Sequence, residues 1–185
     1  MMKKYINGYR NLVQNNNALK FAVIALAVII FIEGVFIIKA FNAEKVIVVP
    51  NVNGKYVISQ TGANPRYLKG IGVYLVGLAE NFTPQNIGGN YKEFLNYASS
   101  GSFGNLQASF VSGEKTYKRN DASSFFAVKS VKLLPGKIVV TGNKRLIIGM
   151  SVVSSKMLQA TLNYKIINGE FEVTGYVEKN INILS

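Results

Sequence analysis

The chain has 185 residues, a formal net charge of +12, and no cysteine, histidine or tryptophan. Without histidine and cysteine, the sequence offers no Ser-His-Asp or Cys-His catalytic arrangement, no imidazole general base and no His/Cys metal site. We therefore expect no catalytic residues, no metal and no cofactor.

An apolar run near the N-terminus predicts one membrane-spanning helix. Residues 21–38 read FAVIALAVIIFIEGVFII, and the run extends to Phe41 if the Lys39 side chain reaches the interface. This is close to the ~20 residues that cross a bilayer, whereas a signal peptide has a shorter apolar core and a small-residue cleavage site. Because Ala40 and Ala43 fit such a site only loosely, we expect residues 21–41 to be a permanent anchor.

The charges flanking the span predict its orientation. Residues 1–20 contain four basic residues and no acid. Because positively charged flanks stay on the cytoplasmic side, we expect residues 1–20 to be a cytoplasmic tail and residues from 42 onward to lie outside the cytoplasm. The 144 residues from 42 to 185 are enough for one ordinary domain, whose stability without cysteines depends on packing.

One acid, Glu33, interrupts the span and is followed by Gly34. At ~1.5 Å per residue, Glu33 lies about 20 Å from Phe21, past the middle of the bilayer. A charged carboxylate facing lipid costs ~2.5–3.5 kcal/mol, which protonation, reach to the interface or contact with another helix would relieve. Gly34 lets a second helix approach, and Ala27 lies two turns earlier on the same face. We therefore expect Ala27, Glu33 and Gly34 to form a helix–helix contact in the membrane.

The next segments predict a linker followed by three helices. Residues 42–62 read as a linker with short strands, and residues 63–185 as a folded domain. Helices are predicted from Asn64-Pro65, from Thr83-Pro84 and from near Ser102 to Arg119, because Asn and Pro favour helix starts. The predicted buried stripes of the first two helices are Tyr67, Leu68, Ile71, Tyr74, Leu75 and Leu78, then Ile87, Tyr91, Phe94, Leu95 and Ala98.

From Ser123 onward the sequence predicts four antiparallel strands. SSFFAVKSVKLL and KIVVTGNKRLIIG meet at Pro135-Gly136, and KMLQATLNYKII and EFEVTGYVE meet at Asn168-Gly169, a strong hairpin signal. SVVSS reads as a polar link, and Gly142 predicts a bulge or bend. The predicted fold class is α+β, with three helices covering one face of a curved four-stranded sheet.

Two further patterns allow either a functional interpretation or a purely structural one. Glu170 and Glu172 share a face of the last strand and could pair around a cation, but simple alternation places both in solvent. From Lys39 onward there are 17 basic and eight acidic residues, a net charge of +9, which favours anionic partners. The densest basic cluster, residues 114–121, also contains two acids. It does not form the continuous basic stripe that is typical of nucleic-acid-binding proteins, so we do not expect direct nucleic-acid binding.

The order of these features resembles the TraE family of conjugative type IV secretion. The resemblance rests on RYLKGIGVYLVGLAENFTPQNI, KRNDASSFFAVKSVKLLPGKIVVTGNKRLIIG and LNYKIINGEFEV in this order and spacing. It implies a nuclear-transport-factor-two-like periplasmic domain on a single-pass protein of the bacterial inner membrane. It also implies a structural subunit rather than an enzyme, one that supports channel and pilus assembly through self-association and contacts with other inner-membrane and periplasmic subunits.

The glycine-rich helix 65–80 departs from the family pattern, and its residues Arg66, Lys69 and Gly70 are candidates for a protein-contact surface. Two alternative functions stay open. The first is a membrane-anchored small-ligand-binding or enzymatic domain of the same fold. The second is an anchored nucleic-acid-binding module, which a steep salt dependence of binding would support.

Overall fold

The computed structural model describes residues 16, 19–21, 23–36, 45–47, 56–59 and 62–181. The chain divides into two compact units, residues 1–43 and 44–185. In the first unit, helix α1 (Leu19–Phe36) has 18 residues and a mean hydropathy of 2.5, which is long and apolar enough to cross a membrane. Most of the predicted cytoplasmic tail, the predicted end of the span and much of the predicted linker lie outside the described residues.

The second unit has three helices followed by four long strands. Its elements are β1 (Lys45–Ile47), β2 (Tyr56–Ile58), α2 (Pro65–Glu80), α3 (Ile87–Leu95), α4 (Ser100–Arg119), β3 (Ala122–Leu134), β4 (Lys137–Ile148), β5 (Ser151–Ile167) and β6 (Glu170–Ile181). Strands β1 and β2 form a small antiparallel pair, and β3 to β6 form an antiparallel sheet in sequence order. This confirms the predicted α+β class.

The start of α2 is the predicted one, whereas the start of α3 is not. The Asn64 side chain accepts a hydrogen bond from the Tyr67 backbone N–H at 2.9 Å, and Pro65 opens the helix. Helix α3 begins at Ile87 instead of Thr83. The intervening residues form a turn because the Asn86 side chain accepts from the Thr83 backbone N–H at 2.7 Å.

The buried face of α2 differs from the predicted stripe. Its buried residues are Leu68, Gly72, Leu75, Val76, Ala79 and Glu80. Tyr74 is 43% exposed, which contradicts the prediction, and Tyr67, Ile71 and Leu78 are only half-buried. The reason is close packing at Gly72, where an added Cβ would lie 2.6 Å from Ile138 Cγ2. The small residues, and not the large ones alone, therefore face the sheet.

Helix α3 buries the residues that the periodicity predicts. Ile87, Tyr91 and Phe94 are all buried in the core. The Tyr91 and Phe110 rings stack with their centroids 4.3 Å apart, and Phe94 meets Phe110 edge-on at 5.0 Å. These contacts join α3 to α4 above the sheet.

Two details of the sheet refine the predicted strands. The segment SVVSS is the first part of β5 and not a link, because Val152 pairs with Ile147 and the chain reverses before it at Gly149-Met150. The bulge predicted at Gly142 lies in the facing strand, between Val128 and Ser130. A Cβ at Gly142 would collide with the Ala127 carbonyl oxygen, so only glycine fits there.

The predicted Asn168-Gly169 hairpin is confirmed. Asn168 has φ +53° and Gly169 has φ +77°, the two positive values that a tight type I′ turn requires. The turn sets the register in which Ile167 faces Glu170. That register buries Phe171 and Val173, and a register shift between Asn163 and Tyr164 then places Tyr176 beneath the helices.

Candidate functional site

A buried charge cluster connects the end of α2 to the sheet. Glu80 is 0% exposed, and its Oε2 lies 2.5 Å from the Lys144 Nζ of β4. Its Oε1 accepts a hydrogen bond from the Tyr176 hydroxyl of β6. The Lys144 Nζ also lies 3.3 Å from Glu178 Oε2. We call Glu80, Lys144, Tyr176 and Glu178 the charge cluster.

Local structure explains how each member reaches this place. Glu80 follows Val76 by one helical turn, so it lies on the face of α2 that packs on the sheet. Tyr176 and Glu178 are two residues apart in β6 and share a face of the sheet. The cluster therefore depends on the packing of α2 across β4 and β6.

Burial controls the protonation of the cluster. It raises the pKa of the Glu80 carboxyl to about 7, with Lys144 opposing the rise and Glu178 adding to it. Burial lowers the pKa of Lys144, but the Glu80 and Glu178 carboxylates outweigh it and leave this pKa above its ordinary value. Burial, together with the same two acids, also raises the pKa of Tyr176 well above its usual range. The cluster thus holds an ammonium group, a phenol that donates and an acid that titrates near neutral pH.

The Glu80–Lys144 pair at the centre of the cluster offers little surface to a substrate. A general acid or base has to come within hydrogen-bond reach of a reacting group, and Glu80 has no exposed surface. The Lys144 side chain is 16% exposed and already contacts two carboxylates. The geometry fits an anchor that fixes the C-terminal end of α2 on the sheet.

Two surface grooves lie beside α4. The first, of about 430 Å³, runs between α4 and β6. Tyr176 forms part of its wall, and the other lining residues are neutral: Ser99, Gly101, Ser102, Asn105, Leu106, Ser109, Phe110, Thr174, Gly175 and Val177. The second, of about 400 Å³, lies between α3 and α4 and carries the exposed apolar side chains Phe103 and Val111.

The predicted surface residues on α2 point away from the sheet. Arg66 and Lys69 are exposed and Gly70 is half-buried. Val73, one turn further along, is also an exposed apolar residue. We call Arg66, Lys69, Gly70 and Val73 the outer α2 surface. Its role in protein contact stays a prediction.

The predicted membrane contact residues all lie in α1. The side chains of Ala27 and Glu33 are exposed within the first unit, and Gly34 is half-buried. Apart from the backbone of α1 itself and the adjoining residues, no described atom lies within 4 Å of a Cβ added at Gly34, so the position is open on its outer side. A helix–helix contact at these residues stays a prediction.

The acids of the last strand form no shared site. Glu170 is exposed, and Glu172 is half-buried with its Oε2 3.1 Å from Lys165 Nζ. Phe171, between the two acids, and Val173, after them, are buried, as the alternation predicts. Among the described residues, no group of three or more acids is close enough to hold a metal ion.

Sequence reasoning missed the special position of Glu80 and treated it as one of several scattered acids. A signal was available, because Glu80 continues the helical series Leu68, Gly72 and Val76 at spacings of four residues. An acid in such a series has to be paired when it is buried. Its partners on β4 and β6 could not be read from the local pattern.

Comparison with known proteins identifies the family of the chain and the fold of its domain. A family model described as TraE protein matches residues 1–178, nearly the whole chain. The chain belongs to the TraE family. No curated protein matches the sequence significantly.

Solved structures of type IV secretion proteins share the fold of this TraE-family domain. VirB8 of Agrobacterium tumefaciens is 15% identical with a TM-score of 0.54, over 64% of this chain and 94% of that one. A TrwG component from Bartonella birtlesii is 16% identical with a TM-score of 0.58, over 68% and 98%. A TraE protein in complex with 2-chloroisonicotinic acid is 15% identical with a TM-score of 0.55, over 66% and 100%. At this identity the likeness concerns the fold alone.

Proposed function

We propose that this TraE-family chain is a structural subunit of a conjugative type IV secretion machine. It is anchored in the bacterial inner membrane by α1, with its N-terminus in the cytoplasm and its folded domain in the periplasm. It supports channel and pilus assembly through self-association and contacts with other inner-membrane and periplasmic subunits, and it is not an enzyme. The observation that carries the proposal is the contrast between the buried Glu80–Lys144 pair and the open surfaces of the helices.

The outer α2 surface supports self-association. It combines two cations, Arg66 and Lys69, with the exposed apolar Val73, a mixture suited to a protein interface with a polar rim. Tyr74 follows Val73 at the edge of this surface, and its hydroxyl donates to Glu93 Oε1 at 3.3 Å, which brings a carboxylate to that edge. A two-fold contact between copies can therefore pair basic and acidic groups reciprocally.

The second groove supports contact with another subunit. Phe103 and Val111 are separated by two helical turns on α4 and stay exposed above the groove between α3 and α4. An amphipathic helix presents apolar side chains at the same spacing and can place them in such a groove. In the membrane, Ala27, Glu33 and Gly34 would serve the corresponding contact between spans.

Conjugative DNA transfer from a strain in which the gene for this chain is deleted tests the proposal. We expect loss of conjugative transfer in the deletion strain, restoration by the full chain and no restoration by the folded domain without α1. Normal transfer by the deletion strain would end the proposal. A periplasm-dependent reporter fused near Gly62 should be active and one fused near Asn11 silent, and the opposite result would overturn the orientation.

Cysteine crosslinking tests the self-contact, because the chain has no cysteine of its own. Lys69→Cys in the full chain should give disulfide-linked pairs in native membranes. Lys132→Cys is the matched control, another exposed lysine, on β3. Crosslinking at Lys132→Cys with none at Lys69→Cys would exclude the outer α2 surface as the self-contact.

A small-ligand-binding role is the second candidate, and the groove of about 430 Å³ between α4 and β6 favours it. Its test is the replacement of Ser109, an exposed residue of the groove wall, by a bulky residue. If the groove binds a ligand that the machine needs, Ser109→Phe abolishes transfer in cells while the folded domain keeps its melting temperature. A pure scaffold tolerates the change.

A further inference from the structure

The hairpin that joins β4 and β5 ends in exposed apolar side chains. Met150, in the turn, is fully exposed, and Ile148, Val152 and Val153 beside it are exposed as well. We call these four residues the apolar tip. Most of the large exposed apolar residues of a soluble surface occur singly, whereas a contiguous group marks an interaction site.

The hairpin carries this tip beyond the core. The last buried residue of β4 is Gly142 and the first of β5 is Leu158, so the end of the hairpin has no buried side chain. The register shifts between Leu146 and Ile147, which leaves Val153 as an extra residue in β5. Such a bulge turns the neighbouring side chains, and Val152 and Val153 are both exposed as a result.

The strands behind the tip are uniformly basic. Residues 122–169 contain seven lysines and arginines and no aspartate or glutamate. Arg145 and Lys156 flank the tip, are exposed, and form no ion pair with a described residue. The described acids near this end of the sheet are Asp121, which follows closely after Arg119, and Glu80 and Glu178, which both contact Lys144 and not Arg145 or Lys156. An anionic partner is therefore favoured here over a neutral one.

We propose that the apolar tip inserts into the anionic headgroup region of the bilayer that holds α1. Aliphatic side chains ringed by cations match a lipid surface, where apolar burial and attraction to anionic lipids act together. None of the four tip residues is aromatic, so a base has no stacking platform at the tip itself, and the exposed Phe125 lies behind the tip, across from Arg145. A second copy of the tip meets like charge. The proposal rests on α1 being a membrane anchor, which is part of the proposed function.

The length of the chain makes this contact reachable. Lys45 follows Phe36 by nine residues, which span at most about 30 Å when fully extended. A contact between the folded domain and the bilayer surface is therefore within reach of the connecting residues. Insertion of the tip would add a second point of attachment and fix one orientation of the domain on the membrane.

Tryptophan fluorescence tests the insertion, because the chain contains no tryptophan. The full chain with Met150→Trp is reconstituted in vesicles of phosphatidylcholine with phosphatidylglycerol, and in phosphatidylcholine alone. The matched control is Leu134→Trp, which lies on β3 next to the Pro135-Gly136 turn at the opposite end of the sheet. We expect a shift to shorter wavelength and quenching by brominated lipid for Met150→Trp in the anionic vesicles, and neither for Leu134→Trp.

The outcomes distinguish a failure of the tip proposal from a failure of the membrane anchor. Addition of Arg145→Gln and Lys156→Gln to Met150→Trp should reverse the shift and the quenching while the chain still floats with the vesicles after a carbonate wash. Solvent-like emission of Met150→Trp in both lipid mixtures would overturn the proposal, and so would a shift to shorter wavelength that brominated lipid does not quench. Failure to float would instead refute the anchor.

Discussion

Replacement of Glu80 by glutamine should change how the stability of the folded domain depends on pH. Glu80 is the acid whose pKa burial raises, to about 7 from an ordinary value of 4.5. The groups facing it are Lys144 on β4, Tyr176 and Glu178 on β6, and the Tyr91 ring on α3. The glutamine side chain in Glu80→Gln has the shape of the protonated acid and cannot ionise, so the variant isolates the cost of charging this one group.

The sign follows from proton binding. The folded state holds the Glu80 proton to higher pH than the unfolded chain does, so this group lowers stability as pH rises from about 4.5 to about 7. At about 1.4 kcal/mol per pH unit, the full effect is about 3 kcal/mol. The free energy of unfolding of Glu80→Gln, relative to that of the natural chain, should therefore rise by about 3 kcal/mol between pH 4 and pH 8.

Urea unfolding of the domain comprising residues 44–185 measures this difference. The free energy of unfolding is determined for both chains from pH 4 to pH 8, and the difference between them is plotted against pH. Glu170→Gln is the control, because Glu170 is exposed and has no partner in the charge cluster. A flat difference for Glu80→Gln, or a loss that grows with pH, would refute the reasoning.

Three further predictions concern the core, the sheet and the membrane span. Phe94→Ala should cost ~3–5 kcal/mol in urea unfolding, because the ring is fully buried among other aromatic rings, and an unchanged stability would contradict the packing of α3. Gly142→Ala should lower the melting temperature sharply, since its methyl group would collide with a backbone carbonyl, whereas Gly104→Ala on the open face of α4 should gain about 0.5–1 kcal/mol. Glu33→Leu should impair assembly while insertion stays intact and Glu33→Gln is tolerated, and normal secretion by Glu33→Leu would show that the acid has no role in a contact.

Local patterns in the sequence predict most of the elements for physical reasons. Asn64-Pro65 and Asn168-Gly169 act through the backbone of a few neighbouring residues, so the helix start and the hairpin can be predicted without knowledge of the fold. The alternation around Phe171 works in the same way. The predicted face of α2 was wrong at Tyr74 because Gly72 allows the helix to pack closely, and a pattern of large residues does not show this.

The charge cluster could not be predicted to the same degree. Tyr176 is 96 residues beyond Glu80 in the chain and meets it only when β6 lies under α2. A helical series that includes Glu80 indicates burial, but the choice of partner depends on tertiary register. The apolar tip was missed because SVVSS reads as a link, although Ser151, Val152, Ser154 and Ser155 pair with β4.

The most direct test of a scaffold without catalysis is conjugative transfer by cells whose sole copy has one acid of the folded domain changed to its amide. The acids to be changed singly are Glu80, Glu93, Glu114, Asp121, Glu170, Glu172 and Glu178. If the chain acts through its surfaces, each variant should support transfer close to that of the natural chain. Complete loss of transfer at one position, with the variant folded and present at normal levels in the membrane, would contradict the account and indicate an active site.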